Sequence, residues 1–390
     1  MSDRDDSKLD RFKLETSFGD GTVTHITYKT DMAARERRAR VQTTWTDKKN
    51  LGSGGFGVVI LQQADGGELR AVKKIYTGAA NIDFTREITV MTKVAHRQDL
   101  FVKFLGWYTN SDFVFIAMEY IEHGDLTHYL KNSGPCSANI AQGITRQLLE
   151  GLVTLHELDI AHRDIKPQNV LIASPEPIWV KIADFGVSKR TKGTMLHTRL
   201  GSQGYVAPEL MGLLSRRYMD DNYSQAVDMW ALGCVVHEIL TGEIPFREVE
   251  YEPDGTTEFD FGSEVGGMEP RTDIGTLKSF CDGKTDLPTD LLRRSLVSEL
   301  AIAFVKELLV ADPDSRAAAK KALASVWIVS EEEPRTNISI EDTRINKIKQ
   351  TFGANTSPTS HGVNIRQPVK PLVVVPTGQK ETGSSVTDAM

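Results

Sequence analysis

The hydrophobic period of the chain changes once, near Gly124, and that change limits the folds open to it. Before it, Gly57 to Gln62, Leu69 to Ile75 and Phe113 to Tyr120 are short runs rich in β-branched or aromatic residues, which predicts strands. One helical stretch, Ile82 to Ala95, interrupts them, with Ile88, Met91 and Ala95 on one face. After it, Ile140, Ile144, Leu148, Leu152 and Leu155 recur at helical spacing as one apolar stripe. A second helix is expected from Ser224, a suitable N-cap, to Gly242, a suitable C-terminal stop. A third is expected from Leu296 to Val310. Strands first and helices afterwards predict an α+β fold in two lobes, the first β-rich with one helix and the second mainly α-helical.

The flanks differ in texture from this centre. Residues 1–44 read as a polar, partly disordered extension with a short strand at Thr22 to Tyr28. Within it, AARERRAR (Ala33 to Arg40) reads as a solvated helix face, with a nuclear-import or RNA-contacting patch as the alternative. Residues 45–328 form the globular unit, divided at about 120 and 121 between the lobes and interrupted by an acidic insert at about 247–275. Residues 329–390 are rich in Ser, Thr and Pro and read as a disordered tail.

Composition narrows the function classes. With 46 Lys+Arg against 53 Asp+Glu, the net charge is -7, which argues against a generally basic nucleic-acid binder. Cys136, Cys234 and Cys281 are far apart and form no C-x-x-C pair, so disulfide scaffolds and cysteine-rich zinc modules are excluded. The charged opening MSDRDDSKLD lacks an apolar signal-peptide core, and no apolar run nears the roughly 18 residues needed to span a bilayer. The expectation is a soluble, monomeric intracellular protein of the cytoplasm or nucleus, without membrane or nucleic-acid partners.

Chemistry enters with Leu51-Gly52-Ser53-Gly54-Gly55-Phe56-Gly57-Val58-Val59. A glycine-rich turn alone is a weak signal, but β-formers follow it here, which places the glycines in a hairpin whose amides could close over phosphates. On the next strand, Lys73 has apolar neighbours, and an inward lysine needs a partner such as Glu87, fourteen residues on. Then come His162-Arg163-Asp164-Ile165-Lys166-Pro167-Gln168-Asn169 and Asp184-Phe185-Gly186. Ala207-Pro208-Glu209, Asp228-Met229-Trp230-Ala231-Leu232-Gly233 and Arg316 complete an ordered set. In that order and at that spacing, over roughly 280 residues, the set resembles the eukaryotic protein-kinase family.

The resemblance implies a two-lobed protein kinase fold and ATP-dependent phosphoryl transfer with Mg²⁺. Asn169 and Asp184 are oxygen donors suited to Mg²⁺. Asp164 would accept the hydroxyl proton, Lys166 would hold a positive charge near the transferred phosphate, and Lys73, braced by Glu87, would hold nucleotide phosphates. Leu51, Gly52, Ser53, Gly54, Gly55, Phe56, Gly57, Val59 and Ala71 would cover the nucleotide. Leu171 would floor the pocket and Met118 would close its back. Glu119, Tyr120 and Ile121 would offer backbone groups to the base, and Asp125 is placed for the ribose. Lys166 and the pair Gly201-Ser202 resemble serine/threonine rather than tyrosine kinases. Arg316 would brace Ala207-Pro208-Glu209.

Regulation and substrate choice follow in the same terms. Thr198, with Thr194 second, is the expected phosphosite in the segment between Asp184 and Glu209, where Arg163 could pair with it. Asp125, Glu238 and the acidic insert point to substrates with basic residues beside the Ser/Thr acceptor, although Gln168 departs from that pattern. Two other readings compete, a scaffold that keeps the fold without turnover and a small-molecule kinase. Intact Lys73, Glu87, Asp164, Asn169 and Asp184 speak against the scaffold, and Arg316 with Ala207-Pro208-Glu209 against the small-molecule kinase.

Overall fold

The computed structural model describes residues 9–30, 38–54, 57–78, 84–185, 203–214, 225–248 and 270–330. Gly55, Phe56, Gly186, Thr194, Thr198, Ser224 and most of the acidic insert lie outside them, as does the tail from 331.

The N-terminal lobe is one antiparallel sheet of β1 (Glu15–Gly19), β2 (Thr22–Thr30), β3 (Arg38–Gly54), β4 (Gly57–Ala64), β5 (Leu69–Tyr76), β6 (Phe104–Thr109) and β7 (Phe113–Glu119). Its order is β1-β2-β3-β4-β5-β7-β6. Ahead of β1, Lys13 bridges to Trp107 on β6, the far end of that order, so the sheet closes on itself. Closure satisfies backbone groups that two open edges would expose.

The expected strands of this lobe form, including the one at Thr22 to Tyr28, which is β2, but β1 and β6 do not announce themselves in the sequence. The division after residue 44 does not interrupt the chain's structure either, because β3 runs through it from Arg38 and pairs with β2 over nine residues. Its polar Thr side chains suggest a loose extension. On β2, Val23 and His25 alternate inward instead and are buried. Val23 joins Val72, Tyr108, Phe115 and Ala117 in a small cluster inside the sheet.

A polar network fastens this closure. The buried Arg70 guanidinium donates to Gln62 Oε1 at 2.7 and 2.9 Å, bonds His25 Nε2 at 2.8 Å and lies 3.9 Å over the Trp45 ring. Gln62 in turn donates to Asp47 at 2.7 Å, and His25 Nδ1 meets the Thr16 hydroxyl at 2.9 Å. Burial, with Arg70 beside it, pushes His25 down to about 3, so the imidazole stays neutral and available to the guanidinium.

One helix, α1 (Phe84–Val94), belongs to this lobe. It buries Glu87, Ile88, Val90, Met91 and Val94, a broader face than the apolar spacing predicts, because a carboxylate is buried with it. Residues 79–83, which include the expected start at Ile82, lie outside the described residues.

The C-terminal lobe is helical. It contains α2 (Leu126–Ser133), α3 (Ala138–Glu157), α4 (Ala226–Thr241), α5 (Ile274–Cys281), α6 (Asp290–Arg294), α7 (Glu299–Leu308), α8 (Ala319–Leu323) and α9 (Val326–Val329). A two-stranded ribbon, β8 (Val170–Pro175) and β9 (Ile178–Ile182), lies between α3 and α4. The α3 stripe is buried through Ile144, Leu148, Leu152 and Leu155, and α4 is buried nearly all round. Each such aliphatic side chain contributes about 1.5–3 kcal/mol.

Two boundaries differ from expectation. The helix expected from Leu296 starts at Glu299, because Ser298 caps it through Ala301 N and Leu296 adopts φ 55°. The insert expected to reach residue 275 closes earlier. Arg247 bridges Thr272, and Asp273 caps α5 by accepting from Gly275 N and Thr276 N. Among the described residues no helix is long and apolar enough to cross a membrane. The α+β two-lobed fold is as expected.

Candidate active site

The register of the first sheet brings the predicted nucleotide-site residues together. Gly52 pairs with Val59, Val59 with Lys73, and Ala71 with Met118. Period-two alternation therefore turns Val59, Ala71, Lys73 and Met118 to one face of the sheet. Gly57 sits at φ 135°, and a Cβ there would collide with the Lys74 carbonyl, so only glycine lets β4 start this close to β5. Leu171 on β8 forms a backbone bridge with Asp125. Asp125 also caps α2, its Oδ1 accepting from His128 N at 2.8 Å.

Lys73 is the centre of the charge arrangement. Its Nζ donates to both carboxylate oxygens of Glu87 at 2.9 and 3.1 Å and to Asp184 Oδ1 at 2.7 Å. Burial works against its charge, but the two carboxylates outweigh it and hold the ammonium above the ordinary lysine range. At Asp184 burial is likewise overcome, chiefly by Lys73, and the carboxyl is held below its ordinary range. Burial pushes the Glu87 carboxyl up against the pull of Lys73, and both of its oxygens on the ammonium favour the ion pair.

The second cluster lies on the loop between α3 and β8. Asn169 Nδ2 donates to the Asp164 carbonyl at 2.7 Å and to Asp164 Oδ2 at 2.8 Å, which fixes the carboxylate. Lys166 Nζ stands 3.4 Å from the same oxygen. The backbone is strained on this loop at Arg163, φ 70°, and on the separate loop after β9 at Asp184, φ 51°. The buried Asp228 of α4 supports the first of these. Its two oxygens accept from His162 N at 2.8 Å and Arg163 N at 2.7 Å, and His156 Nε2 lies 2.8 Å away. Phe185 packs between Phe101, at 5.6 Å between ring centroids, and His162, at 5.7 Å, with tilted rings. This ties the residue after Asp184 to both lobes.

Arg316 pairs with Glu209 as expected, donating to its two oxygens at 2.8 and 3.1 Å. It also donates to the carbonyls of Val310, Ala226 and Ala311.

Three contacts were not visible in the sequence. Glu119 spends its side chain on Lys103 N and Lys181 Nζ, both at 2.6 Å, which leaves only its backbone for a base. Tyr205 donates to Glu238 Oε2 at 2.6 Å. The chain before β1 lies along β6. An acidic residue following a run of strand residues was the one signal available for the first; the other two join residues far apart in sequence.

The comparisons agree with this geometry. A family model described as a protein kinase domain matches residues 45–328. The serine/threonine-protein kinase RAD53 of Saccharomyces cerevisiae is 34% identical over 251 residues, covering 63% of this chain and 27% of its own length. The serine/threonine-protein kinase cds1 of Schizosaccharomyces pombe is 32% identical over 302 residues, covering 74% of this chain and 59% of its own. The chain thus spans less than two thirds of both these curated relatives. A crystal structure of Rad53 residues 1-466 in complex with AMP-PNP superposes with a TM-score of 0.56 at 30% identity, covering 73% of this chain and 65% of that one. A family match across both lobes, over a chain whose buried lysine joins them to a carboxylate on each side, means that this chain belongs to the protein kinase family.

Proposed function

We propose that the chain is an ATP-dependent protein kinase that phosphorylates serine and threonine. The observation that carries this reading is the Lys73 ammonium held between Glu87 and Asp184 while Asn169 fixes Asp164 nearby on the other strained loop. Phosphoryl transfer needs spread negative charge to be held and an acceptor hydroxyl to be aimed, and these two clusters divide that work. Lys73, positioned by Glu87, holds nucleotide phosphates. Asp164 orients the acceptor hydroxyl and takes its proton, and Lys166 supplies positive charge beside the transferred group.

ATP as donor is supported by the AMP-PNP complex of Rad53 and by the pocket register around Val59, Ala71, Met118 and Leu171. Asn169 and Asp184 fit Mg²⁺. The Asn169 amide nitrogen is spent on Asp164, which leaves its oxygen as a donor, and Asp184 is held ionised. When bound, the ion would neutralise charge on the transferred phosphate.

The catalytic domain is residues 45–328 together with the strands that precede it, and its partners are protein substrates. Glu238 and Asp125 favour a basic residue beside the acceptor. Phosphorylation of Thr198, or of Thr194, would order the segment after Asp184 through Arg163.

The test is phosphate transfer from Mg·ATP to a degenerate Ser/Thr/Tyr peptide library, with Asp164→Asn as control. Transfer to Ser and Thr that falls by about 10²–10⁴-fold in the variant is the expected result. Undiminished transfer in Asp164→Asn would overturn the role of that carboxylate. The same library read for Arg or Lys enrichment checks the basic preference. Intact-mass analysis with Thr198→Ala checks the phosphosite.

A further inference from the structure

The helix that carries Glu87 is short. At 11 residues, α1 is below the roughly 12–15 residues at which even a good helix is marginal alone in water, so packing decides where it stands. Its apolar face belongs to one continuous cluster in which Ile88, Met91 and Val94 are buried together with Phe104 of β6 and with Leu9 from the N-terminal segment.

That segment is fitted to β6 by an unusual concentration of bonds on one residue. Trp107 uses three groups on it. Its amide donates to the Phe12 carbonyl at 3.0 Å, its carbonyl accepts from Leu14 N at 2.8 Å, and its indole Nε1 donates to the Leu9 carbonyl at 3.0 Å. The ring of Phe12 packs on Phe104 at 5.3 Å between centroids. Gly106 makes the approach possible. It sits at φ 124°, and a Cβ there would stand 2.8 Å from the Phe12 carbonyl oxygen and 2.9 Å from Leu14 Cγ. β6 thus carries a residue without the Cβ that would keep this segment away.

We propose that Leu9 to Leu14 form a positioning strap that holds α1, and through it Glu87, in the place where it meets Lys73. The support for the Lys73–Glu87 pair is then supplied by the chain's own N-terminal segment, lying along β6, and not by a separate protein. Leu9 and Phe12 are positioning residues. They touch neither the lysine nor the carboxylate, and act through the apolar cluster that α1, β6 and the strap share. The consequence for activity rests on the roles given above to Lys73 and Glu87. The consequence for the position of α1 does not.

The test uses the full chain with Phe12→Ala, and Phe18→Ala as control. Phe18 lies on β1 in the same extension, is half-exposed and packs on Tyr108 and Phe115, inside the sheet and away from α1. Hydrogen exchange of the Ile88–Val94 amides is the first readout. Phe12→Ala is expected to speed it by about tenfold, the effect of about 1.4 kcal/mol of lost support, with Phe18→Ala close to wild type. Phosphate transfer is the second readout. Phe12→Ala lowers kcat/KM for ATP by a similar factor, and Phe12→Leu, which keeps most of the apolar volume, restores it. Should Phe12→Ala fail to fold, Leu9→Val is measured in the same way against Phe18→Ala. Equal α1 exchange in the strap variant and in Phe18→Ala would overturn the proposal. A wild type that exchanges as described but transfers no phosphate would overturn the kinase reading and leave the strap standing.

Discussion

Glu238 gives a pH-dependent stability that can be calculated and checked. It lies on α4, largely buried, with one hydrogen bond from the Tyr205 hydroxyl at 2.6 Å. Burial pushes its carboxyl up from 4.5 to about 7, and the Tyr205 bond only partly opposes this. The folded protein therefore binds this proton more tightly than the unfolded chain does. Its contribution is complete below about 4.5 and is lost as pH rises through about 7, so wild-type stability falls across that window. At about 1.4 kcal/mol per pH unit, the difference reaches about 3 kcal/mol above pH 8. Glu238→Gln removes the titration while keeping shape and an acceptor for Tyr205. Urea unfolding of both proteins at pH 5, 6, 7 and 8 is the assay. The variant should gain on wild type from pH 5 upward and level off near pH 8. A stability difference that stays flat across the range would refute the reasoning, since the carboxyl would then be ionised throughout. A substrate arginine beside Glu238 would draw the carboxyl down again. Peptides with a basic flank should therefore gain less from rising pH on Glu238→Gln than on wild type.

Three further substitutions probe the frame. Lys73→Met leaves Glu87 buried without its cation and should lower ATP-dependent transfer by at least about 10²-fold while destabilising the first lobe by about 3 kcal/mol, read by steady-state kinetics and urea unfolding. Arg316→Met removes both hydrogen bonds to the Glu209 carboxylate and one hydrogen bond to each of three carbonyls, a loss of about 3–5 kcal/mol by denaturant midpoint. Gly106→Ala forces a Cβ against the Phe12 carbonyl at positive φ and should cost about 1–3 kcal/mol, with exchange rising in β6 and in residues 9–14.

Most of the contacts of the candidate site were legible because a buried charge restricts the residue types around it. A buried strand lysine needs an acid, and Glu87 lies where one helix can bring it; Asp164 and Asn169 are five residues apart and meet within one turn of loop. The rest was hidden by distance or by broken pattern. Nothing local marks Asp228 as the acceptor for the amides of His162 and Arg163, because the partners meet only when α4 packs beneath the loop. Tyr205 and Glu238 are joined in the same way. β6 was missed because Phe104-Leu105-Gly106-Trp107-Tyr108 has no polar residue at alternate positions to mark the burial alternation that the strand adopts, and Gly106, at positive φ and at a register shift, reads as a break.

The first forty residues show why a polar pattern misled. A strand against an ordinary core would alternate apolar and polar residues, and Thr22-Val23-Thr24-His25 breaks that rule at His25. The break has a partner. Arg70 stands on β5 three residues before Lys73, on the opposite face of the sheet, and needs acceptors that an apolar strand could not offer. Gln62 and the neutral His25 supply them, and Trp45 stacks on the guanidinium. A buried arginine without such partners would cost several kcal/mol, so Arg70 in the domain and His25 in the extension require each other. Lys73, on one face of β5, and the residue that anchors the extension, on the other, are thus set by the same strand. A change at His25 should therefore be felt as a shift of β5, and a polar extension can be an integral part of the lobe.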